Sequence, residues 1–168
     1  MLETDQETRQ RIIAEIENAF ADVRRGNSIT LHQARVLDDY GDEIVQAAAR
    51  RKDTEIRWQD IPDAWIEKLA DTLPFLDPEG FCYYIPAFMI WALRHYETSD
   101  SFAGAAAVYA FGVNPSGEGQ MARLRLFTPR QAAAIAHFLE YFAHRANGDH
   151  ADNETAQEAL DAYWQQFL

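Results

Sequence analysis

The sequence predicts an all-α fold, a single-domain helical bundle of about six or seven helices around a central, buried, aromatic-rich helix, and we expect that domain to span residues 1–168. Three observations support this prediction. Apolar residues recur three and four positions apart along most of the chain, which is the spacing of one helix face. Capping signals precede several of these segments. Seven of the 21 aromatic residues lie within residues 75–96, where the predicted helix is apolar on nearly every side.

Two helices are predicted at the start of the chain. The first covers residues 5–24, in which isoleucine, phenylalanine and valine recur at helical spacing. The second covers residues 30–40, because Thr30 and Gln33 match a capping box in which each side chain pairs with the other residue's backbone amide. Gly41 is expected to end this second helix.

Two further helices are predicted before the central one. Residues 42–52 form a helix with a weakly apolar face made of Ile44, Val45 and Ala48. After a loop, residues 60–74 begin with an aspartate and a proline in the first turn and end at a proline, which is the usual order of helix start and stop signals.

The central helix is predicted over residues 77–97. Asp77 is a suitable N-cap, and Pro78 fits the first helical position because that position needs no backbone donor. Pro86 lies inside the segment and leaves the Cys82 carbonyl without its usual partner, so we expect a kink or a break there.

The segment after the central helix combines small residues with loop signals. Residues 100–109 are predicted to be helical, and the small side chains at 104–107 permit close approach of another helix, so a homodimer through this surface is possible. Residues 113–120 are predicted to be a loop. Residues 121–127 are interpreted as an ordered connection, because a lone strand would have no partner.

The strongest helix signal of the chain stands near its C-terminal end. Thr128 and Gln131 form a capping box with proline at the first helical position, which predicts a helix over residues 128–147. A last helix is expected to begin at Asp152 or Asn153.

Composition excludes several classes of function. Aspartate and glutamate number 27 against 15 lysines and arginines, giving a net charge of −12, which opposes nucleic-acid binding through phosphate neutralisation. The longest apolar run, residues 85–93, is far shorter than the roughly 20 residues of a membrane span, so no membrane association is expected. The polar, acidic N-terminal residues and the single Cys82 indicate a cytoplasmic protein. No cofactor is expected.

The acidic balance instead favours a basic protein partner. After Arg145 the chain contains acidic residues but no lysine or arginine. The candidate partner-binding residues are Asp149, Asp152, Glu154 and Glu158. A solvated helix face explains the same pattern.

A weak metal-site candidate lies on the helix that begins at Thr128. His137, Glu140 and His144 are spaced three and four residues apart, so all three could project from one helix face. The favoured interpretation is a polar face, with His144 placed near the helix C-terminus, where positive charge is stabilised.

The catalytic candidates are also weak. Asp38, Asp39 and His95 would constitute a hydrolase-type Asp/His site if tertiary contacts brought them together around the loop 77–80. Simpler interpretations are a carboxylate paired with Arg35 and a histidine hydrogen-bonded within the core.

Three segments resemble an uncharacterised bacterial family of unknown function. They read ARVLDDYG at 34–41, WQDIP at 58–62 and FLDPEGFCYYIPAFM at 75–89. The resemblance implies a small bacterial protein and transfers no activity or catalytic residue. The function expected from the sequence is therefore a non-enzymatic protein-binding or immunity-type accessory factor with an acidic surface, and the alternative is the hydrolase described above.

Overall fold

The computed structural model describes residues 3–114, 117–145 and 148–168, and across these ranges the regular structure is entirely helical. The all-α fold is thus confirmed. The described residues form nine α-helices: α1 (Asp5–Ala19), α2 (Leu31–Asp38), α3 (Glu43–Arg50), α4 (Asp63–Leu69), α5 (Pro78–His95), α6 (Ala103–Tyr109), α7 (Glu118–Leu124), α8 (Pro129–Ala143) and α9 (His150–Ala162). Three short 3₁₀ helices cover Trp58–Asp60, Ala70–Phe75 and Trp164–Phe167.

The nine α-helices exceed the expected six or seven, and two segments differ in structure from the expectation. The predicted helix 60–74 is α4 followed by a 3₁₀ helix. The stretch expected to be a loop and a connection contains α7, which begins at Glu118 without any side-chain cap. Tertiary contacts hold α7 instead, because Leu124 is buried and Arg123 donates to the carbonyl oxygens of Pro74 and Leu76.

The helix α5 is the core of the fold, as expected. Every residue from Gly80 to Leu93 is buried. Its start is fixed by Asp77, whose Oδ1 accepts hydrogen bonds from the backbone amides of Gly80 and of Ile29, both at 3.0 Å. The helix continues through Pro86 without a break.

The remaining helices surround α5. Helix α6 packs closely on it, because Gly104 lies against the ring of Tyr96. Phe111 joins the central helix to the C-terminal elements through edge-on contacts with Phe81, Phe138 and Trp164. Helix α8 packs between α1 and α9.

Helix α3 lies at the edge of the molecule and packs mainly on α2. Its C-terminal end is anchored: Ala49 is buried, and the Arg50 guanidinium donates to the carbonyl oxygens of Ser28 and Gly26. Its N-terminal end extends toward solvent. Within the described ranges, no helix has the length and apolar character that crossing a membrane requires.

Candidate functional site

The connection between α2 and α3 contains the most unusual backbone of the described chain. Helix α2 ends in a Schellman motif, in which the Tyr40 amide donates to the Leu37 carbonyl (3.1 Å) and the Gly41 amide donates to the Val36 carbonyl (2.8 Å). Tyr40 takes the left-handed position of this motif, with φ of 59°. Glycine is the usual residue there, because a Cβ is strained in the left-handed conformation.

The expectation that Gly41 ends α2 is therefore corrected by one residue. Gly41 follows the left-handed position, and its missing side chain provides space: a Cβ added there would overlap Val36 Cγ1 and lie 3.2 Å from the Val36 carbonyl oxygen. The glycine of this turn is therefore needed where the backbone passes close to Val36. The left-handed position, one residue earlier, is occupied by Tyr40.

Three large apolar side chains project into solvent at this place. Tyr40 is 97% exposed and Ile44 is 80% exposed, while Val45 is half exposed. Ala48, one turn further along α3, is exposed as well. Ile44 and Val45 lie four and three residues before Ala48, so all three lie on one face of α3, and Tyr40 precedes that face in the turn. We name residues 38–48 the α2–α3 corner.

Acidic residues neighbour these apolar residues in the chain, and one of them, Asp38, is paired with Arg35 (3.4 Å). Asp38, Asp39, Asp42 and Glu43 lie in the corner, and residues 36–49 include no lysine or arginine. Asp42 also accepts hydrogen bonds from the amides of Ile44 and Val45, both at 3.0 Å, and so caps α3. The corner thus joins an exposed apolar centre to an acidic rim.

The predicted catalytic residues do not come together. Asp38 lies 3.4 Å from Arg35, which also binds Asp71, whereas His95 lies 3.4 Å from Asp63. His95 is the last residue of α5, whereas residues 77–80, expected to be a loop, are the N-cap and the first turn of that 18-residue helix. A helix of this length extends about 27 Å, so residues 77–80 and His95 are at opposite ends.

A different Asp/His pair, which no sequence motif predicts, is present. His32 Nδ1 donates to Asp53 Oδ1 (2.7 Å), and the His32 backbone amide donates to Asp53 Oδ2 (3.1 Å). The ring lies edge-on against Trp65. Among the described residues, no hydroxyl or thiol is hydrogen-bonded to His32. The pair therefore fastens the segment after α3 to the start of α2.

A second buried carboxylate stabilises the same segment. Glu55 Oε1 accepts from Arg25 (3.0 Å) and from the Tyr84 hydroxyl (2.8 Å). Burial and the nearby carboxylate raise the pKa of Tyr84 far above its ordinary value. The chain's only thiol is also unreactive, because burial raises the pKa of Cys82 to about 11 and keeps it protonated at neutral pH.

The metal-site candidates do share a cavity, of about 570 Å³, between α1 and α8. His137 Nδ1 donates to Glu15 (2.7 Å), and His144 Nδ1 donates to the Glu140 carbonyl oxygen (3.0 Å). In the part of the chain that the structure describes, no three histidine, cysteine, aspartate or glutamate residues are placed to hold a metal ion.

The acidic C-terminal candidates have different environments. Asp149 caps α9 by accepting from the Ala151 amide (2.8 Å), so that helix begins earlier than expected. Asp152 is buried and accepts from the Tyr96 hydroxyl (2.7 Å). Burial, and after it this hydrogen bond, raises the pKa of Tyr96 to about 12. Glu154 and Glu158 are exposed. Asp152 thus belongs to the interior, whereas the other three lie on the surface.

The surface considered for a homodimer is used within the chain. Ala103, Gly104, Ala106 and Ala107 are buried against α5 and its neighbours, and Ala105 is partly exposed. These small residues therefore serve intrachain packing.

Comparison with known proteins gives a family and no activity. Residues 8–168 match the model described as Family of unknown function (DUF6714), and the chain belongs to that family. This confirms the resemblance to an uncharacterised family. No curated protein and no solved structure matches the chain.

Proposed function

For this member of a family of unknown function, we propose a non-enzymatic, protein-binding role in which the α2–α3 corner contacts a basic protein partner. The observation that carries the proposal is Tyr40, a 97% exposed tyrosine in the left-handed conformation. Such a side chain contributes nothing to the core, and its backbone conformation costs about 1–2 kcal/mol. Its presence is explained by a function outside folding.

The chemistry of the corner suits a protein interface. Tyrosine is enriched among residues that dominate binding energy, and such residues lie in an apolar centre with a polar rim. Tyr40, Ile44 and Val45 supply the centre. The neighbouring acids supply a rim that favours a basic partner and speeds its association at low salt.

The role is that of an accessory or immunity-type factor, which masks a basic surface of its partner. Asp149, Glu154 and Glu158 provide further surface charge of the same sign. We place this activity in the cytoplasm, where the buried, unpaired Cys82 stays reduced.

Quantitative capture from native-host lysate tests the proposal. The tagged protein is compared with Ile44→Ser, which removes apolar surface from the corner without changing charge. The matched control is Ile56→Ser, since Ile56 is 84% exposed and lies outside the corner. We expect one basic protein to be retained by the wild type and the control, to be reduced at least tenfold by Ile44→Ser, and to elute as salt rises.

Charge is tested separately. Asp39→Asn with Glu43→Gln should weaken capture, and Asp149→Asn with Glu154→Gln should weaken it only if the C-terminal acids take part. Retention that is equal for both isoleucine variants, or no retained protein at low salt, would contradict the proposal.

A further inference from the structure

A second surface feature, separate from the α2–α3 corner, is a cavity of about 270 Å³. It lies between the 3₁₀ helix Ala70–Phe75, α6 and α7. Its apolar walls come from Phe81, Phe102, Ala106, Tyr109 and Leu73. Phe102 and Tyr109 are exposed, so the cavity opens between two aromatic side chains.

One cation lines this apolar cavity. The Arg123 guanidinium lies 4.5 Å above the centre of the Phe81 ring, and its Nη2 donates to the carbonyl oxygens of Pro74 (3.2 Å) and Leu76 (2.7 Å). Its remaining N–H groups have no hydrogen-bond acceptor among the described residues. Burial lowers the pKa of Arg123 from its ordinary value, and arginine nevertheless stays charged at neutral pH.

No carboxylate forms a direct ion pair with that cation among the described residues, and the Asp77 carboxylate, whose charge raises the pKa of Arg123 against the larger effect of burial, makes no hydrogen bond to it. Asp71 also lines the cavity, but both of its oxygens bind Arg35. No ion pair involving Arg123 occurs in the described ranges. Helix α7 therefore holds an arginine with free donors beside an apolar cavity, and a partly buried cation of this kind is stabilised by an anionic ligand.

We infer that this cavity binds a small monocarboxylate with an apolar body. The carboxylate accepts a hydrogen bond from Nη1 or Nε of Arg123, because Nη2 already donates to the carbonyl oxygens of Pro74 and Leu76. The apolar body lies between Phe102, Tyr109 and Ala106. The volume lies just below the range of pockets for drug-sized ligands, so the ligand has on the order of ten non-hydrogen atoms.

Isothermal titration calorimetry of the full chain with sodium octanoate tests this inference. We expect a dissociation constant of about 1 mM or tighter. Acetate, which has the charge without the apolar body, and 1-octanol, which has the body without the charge, should each bind at least about tenfold more weakly.

Two variants separate the cavity's parts. Arg123→Gln should weaken octanoate binding about ten- to hundredfold and leave 1-octanol binding unchanged, whereas Arg125→Gln, an exposed neighbour outside the cavity, should change neither. Ala110→Leu narrows the cavity without touching the guanidinium and should weaken both ligands. If Arg123→Gln does not fold, the octanoate and 1-octanol affinities of Ala110→Leu test the inference.

The inference is overturned if no octanoate binding is detected at a concentration 10-fold above the expected dissociation constant of about 1 mM. It is equally overturned if octanoate binds Ala110→Leu, or folded Arg123→Gln, as tightly as the wild type. Ile44→Ser should bind octanoate normally, so this result is independent of the protein-binding proposal.

Discussion

Replacing Tyr40 with glycine should remove function without removing stability. The side chain is 97% exposed, so its loss uncovers no core. Removing the strain of a Cβ in the left-handed conformation should raise the free energy of unfolding by about 1–2 kcal/mol. The greater conformational freedom of glycine in the unfolded chain should lower it by about 0.5–1 kcal/mol. The free energy of unfolding should therefore rise by between zero and about 1.5 kcal/mol. For a chain of this size, that raises Tm by at most about 6 °C.

Urea unfolding followed by far-UV circular dichroism measures this change. Tyr40→Ala is the control, because it removes the ring but keeps a left-handed Cβ, so its stability should stay within about 0.5 kcal/mol of the wild type. Both variants should lose capture of the basic partner. A loss of more than about 1 kcal/mol in Tyr40→Gly would contradict a purely functional role of Tyr40, since it would mean that the ring supports the fold.

Three other predictions concern stability. Gly41→Ala should lower the free energy of unfolding by about 1–3 kcal/mol in the same urea assay, because the new methyl group overlaps Val36; a neutral result would contradict the assigned turn. Glu55→Ala should lower the free energy of unfolding by about 3 kcal/mol, because Arg25 and the Tyr84 hydroxyl lose their shared acceptor. A decrease of less than about 1 kcal/mol would contradict a structural role for Glu55. The pKa of Tyr84 in the folded protein lies above its value near 10 in the unfolded chain. The contribution of protonated Tyr84 to the free energy of unfolding is therefore fully present below pH 10 and should be lost as pH rises above it. Urea midpoints measured from pH 9 to 11.5 check this, and Tyr84→Phe should show a smaller fall.

Local structure could be predicted from the sequence where it depends on residues that are close together in the chain. Thr128 and Gln131 form the predicted capping box, with the Gln131 amide donating to Thr128 Oγ1 (3.3 Å) and the Thr128 amide donating to Gln131 Oε1 (3.0 Å). Asp77 likewise caps α5 as expected. These interactions join residues three positions apart, so a short sequence motif is enough to predict them.

Interactions between distant residues could not be assigned in this way. Asp53 lies 21 residues from His32, and Glu55 lies 29 residues from Tyr84. With 27 acidic residues available, nothing in the sequence distinguishes these two carboxylates from the rest. Arg145 is a further case, since its guanidinium binds Glu97 and stacks on three aromatic rings.

The α2–α3 corner was missed for a different reason. The sequence predicts a helix over residues 42–52 with a weakly apolar face made of Ile44, Val45 and Ala48, and this pattern alone does not tell whether that face is buried or exposed. The available signal was the small size of the residues one turn later, at 47–49, which leaves α3 little large apolar surface to bury. Gly41 is expected to end α2 because glycine is the usual residue just after a helix. Only the approach of Val36 explains why the turn uses Tyr40 instead.

Photo-crosslinking in the native host tests whether the α2–α3 corner is a protein-binding surface. The photoreactive residue p-benzoylphenylalanine replaces Tyr40 in one variant and Tyr109, which is also exposed and aromatic, in the other. We expect a crosslink to one basic protein from position 40, absent from position 109 and lost when Ile44→Ser is added. No crosslink from position 40, or the same products from both positions, would contradict it.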